Sequence, residues 1–110
     1  MYMKFFFSLF VFWSIAFGLS DARGESTNIL FLAGERSHKS GEHEFNAGCQ
    51  LLAKALNEQS GLDIHATVIN GWPDDESVFG DVDAIIISSD GTKVISQGWE
   101  KADQLAKTGV

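Results

Sequence analysis

Residues 28–48 read NILFLAGERSHKSGEHEFNAG, and this stretch decides the fold. Its first part, residues 29–33, is a continuous apolar run ended by Gly34, whereas a strand exposed on one face would alternate polar and apolar residues. A polar loop follows. The next segment is amphipathic, because apolar residues recur at steps of three and four: Phe45, Cys49, Leu52, Ala53 and Leu56. The stretch therefore predicts a central parallel strand, a polar loop and a covering helix.

The rest of the chain continues this alternation of strand and helix. Residues 63–69 and 83–88 have strand composition, and a short acidic helix is expected between them at residues 74–79. Ser96 is the expected N-cap of a later helix that carries Trp99 on its apolar face, and residues 109–110 would begin a fourth strand. This order predicts an α/β fold with a doubly wound parallel sheet in three layers, incomplete at the C-terminus.

The first 22 residues have the layout of a secretory signal peptide. Lys4 precedes an uncharged apolar run over residues 5–19, and small residues follow at a cleavage region. About 15 apolar residues at 1.5 Å each span only about 22 Å, which is short of a bilayer's hydrocarbon core of about 30 Å. We therefore expect cleavage, a secreted or periplasmic protein and no permanent membrane anchor. We expect residues 23–27 to form a linker and residues 28–110 to form the N-terminal part of a domain.

Charge and cysteine usage narrow the function classes. The formal net charge is −7, and the eight Lys and Arg residues form no cluster, so a nucleic-acid partner is not expected. Cys49 is the only cysteine, which excludes an internal disulfide and a thiolate metal cluster. Because it falls on the apolar face of the predicted helix, we expect a buried structural thiol.

Three polar loops follow strand ends, at residues 34–42, 70–74 and 88–92. Ligands of open parallel sheets bind outside the carboxyl ends of the strands, so residues of these loops should converge. The first loop lacks both the G-x-G-x-x-G fingerprint and the P-loop pattern. It offers His38, Glu42 and His43 instead, which suit hydrogen bonding to a polar ligand or binding of a divalent metal such as zinc.

Other residues of these loops are candidate ligand-binding groups with structural alternatives. Arg36 can hold an anionic or polyhydroxyl ligand or remain a surface cation. Asp90 can bind sugar hydroxyls, orient an imidazole or stabilise its own turn. Trp72 can stack on a sugar ring or cover the core beside Pro73.

Several short motifs along the chain together resemble the ThuA-like, trehalose-utilisation-type family. They are LAG at 32–34, SH at 37–38, GEHE at 41–44, NAG at 46–48, GWP at 71–73 and SDG at 89–91. The resemblance covers residues 28–92 and implies a flavodoxin-like fold of the class I glutamine-amidotransferase-like type, with a role in sugar metabolism. In this sequence Thr92 follows SDG, where the family pattern leads us to expect a Gly- or His-containing continuation.

Three functions follow from these observations. The first is an exported ThuA-like protein acting on a small carbohydrate, with His38 or His43 as proton carrier, because imidazole titrates near neutral pH. The second is a non-catalytic carbohydrate-binding module. The third is a metal-dependent enzyme that uses His38, Glu42 and His43. The sequence does not determine the oligomeric state.

Overall fold

The computed structural model describes residues 25–59, 61–91 and 93–110. The export signal predicted at residues 1–22 lies outside these residues. Thr27, the last residue of the predicted linker, already belongs to the first strand. The elements are strands β1 (Thr27–Ala33), β2 (Ile64–Asn70) and β3 (Ala84–Ser88), helices α1 (Phe45–Asn57) and α2 (Trp99–Thr108), and short 3₁₀ helices at Glu76–Phe79 and Ile95–Gln97.

The three strands form one open sheet in the order β2-β1-β3, and both pairings are parallel. β1 is central, as its continuous apolar run predicts. Its residue Ala33 pairs with Asn70 at the end of β2 and with Ser88 at the end of β3. The fold is therefore α/β with an all-parallel sheet, and the carboxyl ends of the three strands lie side by side.

The side chains of β1 alternate between two apolar layers, since successive residues of a strand point to opposite faces. Phe31 and Ala33 pack with Cys49 and Ala53 of α1 on one face. On the other face, Leu30 and Leu32 pack against Phe79 and Val94, with Leu105 of α2 at the margin. Burial on both faces explains why β1 has no polar residue between Ile29 and Ala33.

Helix α1 forms over the predicted apolar positions but does not bury the whole predicted apolar face. Cys49 and Ala53 are buried, as predicted, and Phe45 and Leu56 pack at the edge of the same layer. Leu52 was also predicted to face the core, yet it is 55% exposed. It lies one residue, about 100° of helix rotation, from the buried Ala53, and so it points away from the buried side of the helix.

Helix α2 begins later than predicted. Ser96 does not cap it, because the Ser96 hydroxyl donates to the Lys93 carbonyl within a 3₁₀ turn and Gly98 precedes the first helical residue. Trp99 is 62% exposed, so it is not on a buried face.

The predicted fourth strand at residues 109–110 is also wrong. Gly109 has a left-handed conformation with φ 93°, and its N–H bonds to the Leu105 carbonyl. This is a C-terminal helix cap, and glycine adopts it readily because it lacks a Cβ.

Within the described residues, no helix is both long enough and apolar enough to cross a membrane.

Candidate functional site

A close approach between two loops builds the site. The Gly34 N–H, just after β1, donates to the Ser88 carbonyl at the end of β3 over 2.8 Å. A Cβ on Gly34 would lie 2.5 Å from Ser89 Cβ and 2.9 Å from Ser89 Cα, which is closer than such atoms pack. Only glycine permits this contact. It brings the loop after β1 against the turn after β3, which carries Asp90.

Four polar side chains converge at this contact. The Ser37 hydroxyl and the Asp90 Oδ2 atom are hydrogen-bonded, and Ser37 Oγ lies 2.9 Å from His38 Nδ1. Asp90 Oδ2 is also 3.2 Å from His43 Nδ1 and 3.5 Å from His38 Nδ1. The two imidazole rings meet edge to face, with their centroids 4.2 Å apart. We call Ser37, His38, His43 and Asp90 the polar cluster.

The polar cluster keeps its carboxylate ionised and remains open to solvent. The hydrogen bond from Ser37 lowers the pKa of Asp90, and the hydrogen bond with His43 lowers it further. The side chains of His38 and His43 are about half exposed. A ligand can therefore reach both imidazoles while Asp90 holds its negative charge beside them.

The backbone around His43 is unusual and is braced from both sides. His43 has φ 49°, a left-handed conformation that non-glycine residues seldom adopt. Next to it, the Glu44 carboxylate accepts from the Gly41 N–H over 2.9 Å and pairs with Arg36 over 3.1 Å. These two contacts lower the pKa of Glu44, the Gly41 bond having the larger effect. The brace holds the loop in the shape that directs His43 towards Asp90.

Glu42 and Arg36 lie outside the polar cluster. Glu42 is exposed. Among the described residues, one group of three His, Cys, Asp or Glu side chains has ligand atoms within 4.8 Å of one another, and its members are His38, His43 and Asp90. The predicted trio with Glu42 is therefore replaced by one with Asp90, because a turn from another strand comes closer than the neighbour of His43 in sequence. Arg36 serves as the ion-pair partner of Glu44.

Trp72 takes the structural role that the sequence left open. Its ring packs on Phe79 with centroids 5.2 Å apart, and its indole N–H donates to Glu76 over 3.1 Å. Gly98 lies so close to the ring that a Cβ there would come within 1.9 Å of it. In this arrangement Trp72 covers the core beneath the sheet rather than offering a free face to a sugar.

A cavity of about 320 Å³ adjoins the brace at the carboxyl ends of β1 and β2. Arg36, Glu44, Asn46 and Asn70 contribute polar groups to its wall, and the two asparagine side chains are hydrogen-bonded to each other. Sequence reasoning missed both asparagines and Ser37 as site residues. Signals for them existed, since Asn70 ends β2, Asn46 opens α1 and Ser37 directly precedes His38.

The polar cluster does not have the geometry of a Ser-His-Asp triad. In a triad, one ring nitrogen faces the serine and the other faces the acid. Here Ser37 Oγ and Asp90 Oδ2 both face the same nitrogen of His38, Nδ1. The arrangement instead suits proton exchange by an imidazole beside an ionised carboxylate, or coordination of a cation by all three groups.

Comparison with protein-family models, with curated proteins and with solved structures gives no match for this chain.

Proposed function

We propose that this protein is an exported ThuA-like protein with a flavodoxin-like, class I glutamine-amidotransferase-like domain, and that it acts on a sugar or sugar derivative. One observation carries the proposal. His43 belongs to the GEHE motif and Asp90 to the SDG motif, 47 residues away, and their side chains meet over 3.2 Å. Two of the motifs that together suggest the family thus contribute to one site at the carboxyl ends of the strands, which is where such folds bind ligands.

The chemistry of the site suits proton transfer to or from a hydroxyl group. His43 Nδ1 faces Asp90, which leaves Nε2 as the ring nitrogen available to a ligand. A carboxylate behind an imidazole fixes its tautomer and orients its ring, as general acid-base catalysis requires. His38, in contact with the same carboxylate, is the second proton carrier of the proposal.

The neighbouring cavity supplies groups that bind hydroxyls. Asn46 and Asn70 each offer an amide donor and acceptor, and Arg36 adds a cation. Its volume of about 320 Å³ lies at the small end of the range for ligand sites, which fits a monosaccharide or disaccharide unit better than a polymer.

The test uses the purified protein with trehalose and a panel of monosaccharides and disaccharides, and it measures conversion by chromatography and binding by calorimetry. We expect His43→Asn to lower turnover by about 10²–10⁴-fold, the usual contribution of a general acid or base, while the substrate still binds. His65→Asn is the matched control, because His65 is exposed on β2 outside the polar cluster.

Three outcomes would go against this proposal or change it. Equal turnover of wild type and His43→Asn would rule out the acid-base role. Loss of binding without any measurable turnover in the wild type would favour the carbohydrate-binding module. A wild-type protein that neither converts nor binds any sugar of the panel would remove the sugar assignment altogether.

A further inference from the structure

Within the polar cluster, the distances from Asp90 to the two histidines are long for hydrogen bonds between charged groups. Charge-assisted N–H···O contacts are usually 2.7–2.9 Å long. Asp90 Oδ2 instead lies 3.2 Å from His43 Nδ1 and 3.5 Å from His38 Nδ1. In a tetrahedral zinc site with bonds of about 2.0–2.2 Å, neighbouring ligand atoms are about 3.4 Å apart. The two distances thus match two edges of a zinc coordination tetrahedron.

The donor set also matches a particular class of metal. Two imidazoles and one carboxylate are the three protein ligands of many catalytic zinc sites, in which a fourth position stays open for water or substrate. Mg²⁺ and Ca²⁺ prefer sites made of oxygen ligands alone. The half-exposed histidines leave room for an ion to enter and for a fourth ligand to bind.

We propose that His38, His43 and Asp90 bind a divalent transition metal, with zinc as the first choice, through Nδ1, Nδ1 and Oδ2. This ligand set contains Asp90 in place of Glu42. Its members come from two loops, after β1 and after β3, so no single sequence motif includes all three. The Ser37 hydroxyl, hydrogen-bonded to Asp90, orients the carboxylate from outside the coordination sphere.

The use of this metal in sugar chemistry rests on the proposed function, but its binding does not. A bound zinc ion lowers the pKa of a water molecule and polarises a hydroxyl or carbonyl oxygen. In the metal-bound protein His38 and His43 would be ligands, and a metal-bound water molecule would replace their rings as the proton carrier of the proposed function.

The experiment measures metal binding in the absence of any sugar. The purified protein is stripped with a chelator, dialysed and titrated with zinc chloride by calorimetry, and cobalt(II) replaces zinc in a second titration followed by visible absorption. We expect one ion per chain and the intense absorption bands of tetrahedral cobalt. His38→Asn, His43→Asn and Asp90→Asn should each weaken zinc binding by at least about 100-fold, since even outer-shell changes cost 10–100-fold.

Two control variants test whether other acidic or histidine side chains bind the metal instead. Glu42→Gln changes the carboxylate next to His43 in sequence, and His65→Asn removes the histidine outside the polar cluster, so both should bind zinc as the wild type does. Far-ultraviolet circular dichroism checks that each variant is folded. If a ligand variant fails to fold, the cobalt spectrum of the wild type decides, because octahedral bands would contradict the proposed tetrahedral site.

Several results would overturn the metal site. They are no zinc binding by the wild type, wild-type affinity in Asp90→Asn, or a loss in Glu42→Gln as large as that in Asp90→Asn. Sugar turnover that persists in the zinc-free protein, together with absent zinc binding, would remove the metal proposal alone. Tight zinc binding without sugar turnover would remove the proposed function alone.

Discussion

Replacing Gly34 with alanine tests whether the contact between the β1 and β3 loops builds the site. Gly34 does not have a positive φ, so alanine fits its backbone conformation. Any loss of stability in Gly34→Ala therefore comes from the contact of the added Cβ with Ser89. The added Cβ would lie 2.5 Å from Ser89 Cβ and 2.9 Å from Ser89 Cα, whereas ordinary contact begins near 3.4 Å. Because Cα belongs to the backbone, rotation of the Ser89 side chain does not relieve the clash, and the loops must separate by about 1 Å.

This separation of the loops should lower the free energy of unfolding. Adding a methyl group to a well-packed site usually costs about 1–3 kcal/mol. For a folded unit of about 60–100 residues, each kcal/mol lowers the melting temperature by about 4–8 °C. A displacement of about 1 Å at a reacting centre can cost about 10²-fold in rate, so zinc affinity and turnover should fall in the same variant.

Gly48→Ala is the matched control within the same protein. Gly48 lies in α1, is exposed, and a Cβ there would meet no atom within 4 Å. Alanine in a helix interior is favoured over glycine by about 0.5–1 kcal/mol, so this variant should melt at a higher temperature. The assay is thermal unfolding followed by circular dichroism. A Gly34→Ala protein that melts at or above the wild-type temperature would refute the close-contact argument.

Three further predictions concern other parts of the fold. Asn57→Ala should lower the free energy of unfolding by about 1–3 kcal/mol. The Asn57 side chain accepts from the Ala66 N–H over 2.7 Å and donates to the Ala66 carbonyl over 2.9 Å, and alanine would leave both groups of β2 without this partner. A urea titration measures the change, and an unchanged midpoint would contradict the prediction. The Cys49 thiol should react with a thiol reagent only after unfolding, since burial raises its pKa; fast reaction of the native protein would count against it. The N–H and side chain of Ser77 lower the pKa of Asp75, so its carboxylate stabilises the fold at pH values above the ordinary Asp pKa near 4, and this contribution is lost as the pH falls through the lowered pKa. The melting temperatures of wild type and Asp75→Asn should therefore differ above pH 4 and converge in stronger acid, and a constant difference would exclude the carboxylate as its source.

The fold was predictable from the sequence where burial imposes a pattern. The run from Ile29 to Ala33 is apolar on both faces, and such a run is typical of a strand covered on two sides. Helix α1 followed in the same way from the spacing of Cys49, Ala53 and Leu56. The errors fall where burial is partial. Ser96, Trp99 and residues 109–110 belong to a margin where turn geometry, rather than an apolar pattern, decides where elements begin and end.

The location of the site was predictable from the sequence, but the residues that form it were not. The loops that follow parallel strands must share one edge of the sheet, so His38, His43 and Asp90 could be expected near one another. Which carboxylate joins the histidines was not predictable, because Glu42 is adjacent to His43 in sequence while Asp90 is adjacent in space. Sequence distance gives no information about contacts between loops of separate strands.

In residues 28–48, the sequence by itself determined a buried strand, a polar loop and a helix, because local periodicity and burial are properties of neighbouring residues. Only the tertiary structure decided what the loop does. It joined His43 to Asp90 through the close contact of Gly34 with Ser89, and it turned Trp72 into a cover for the core. Both outcomes depend on packing between segments distant in the chain, and packing of this kind is settled by the fold as a whole rather than by any one stretch.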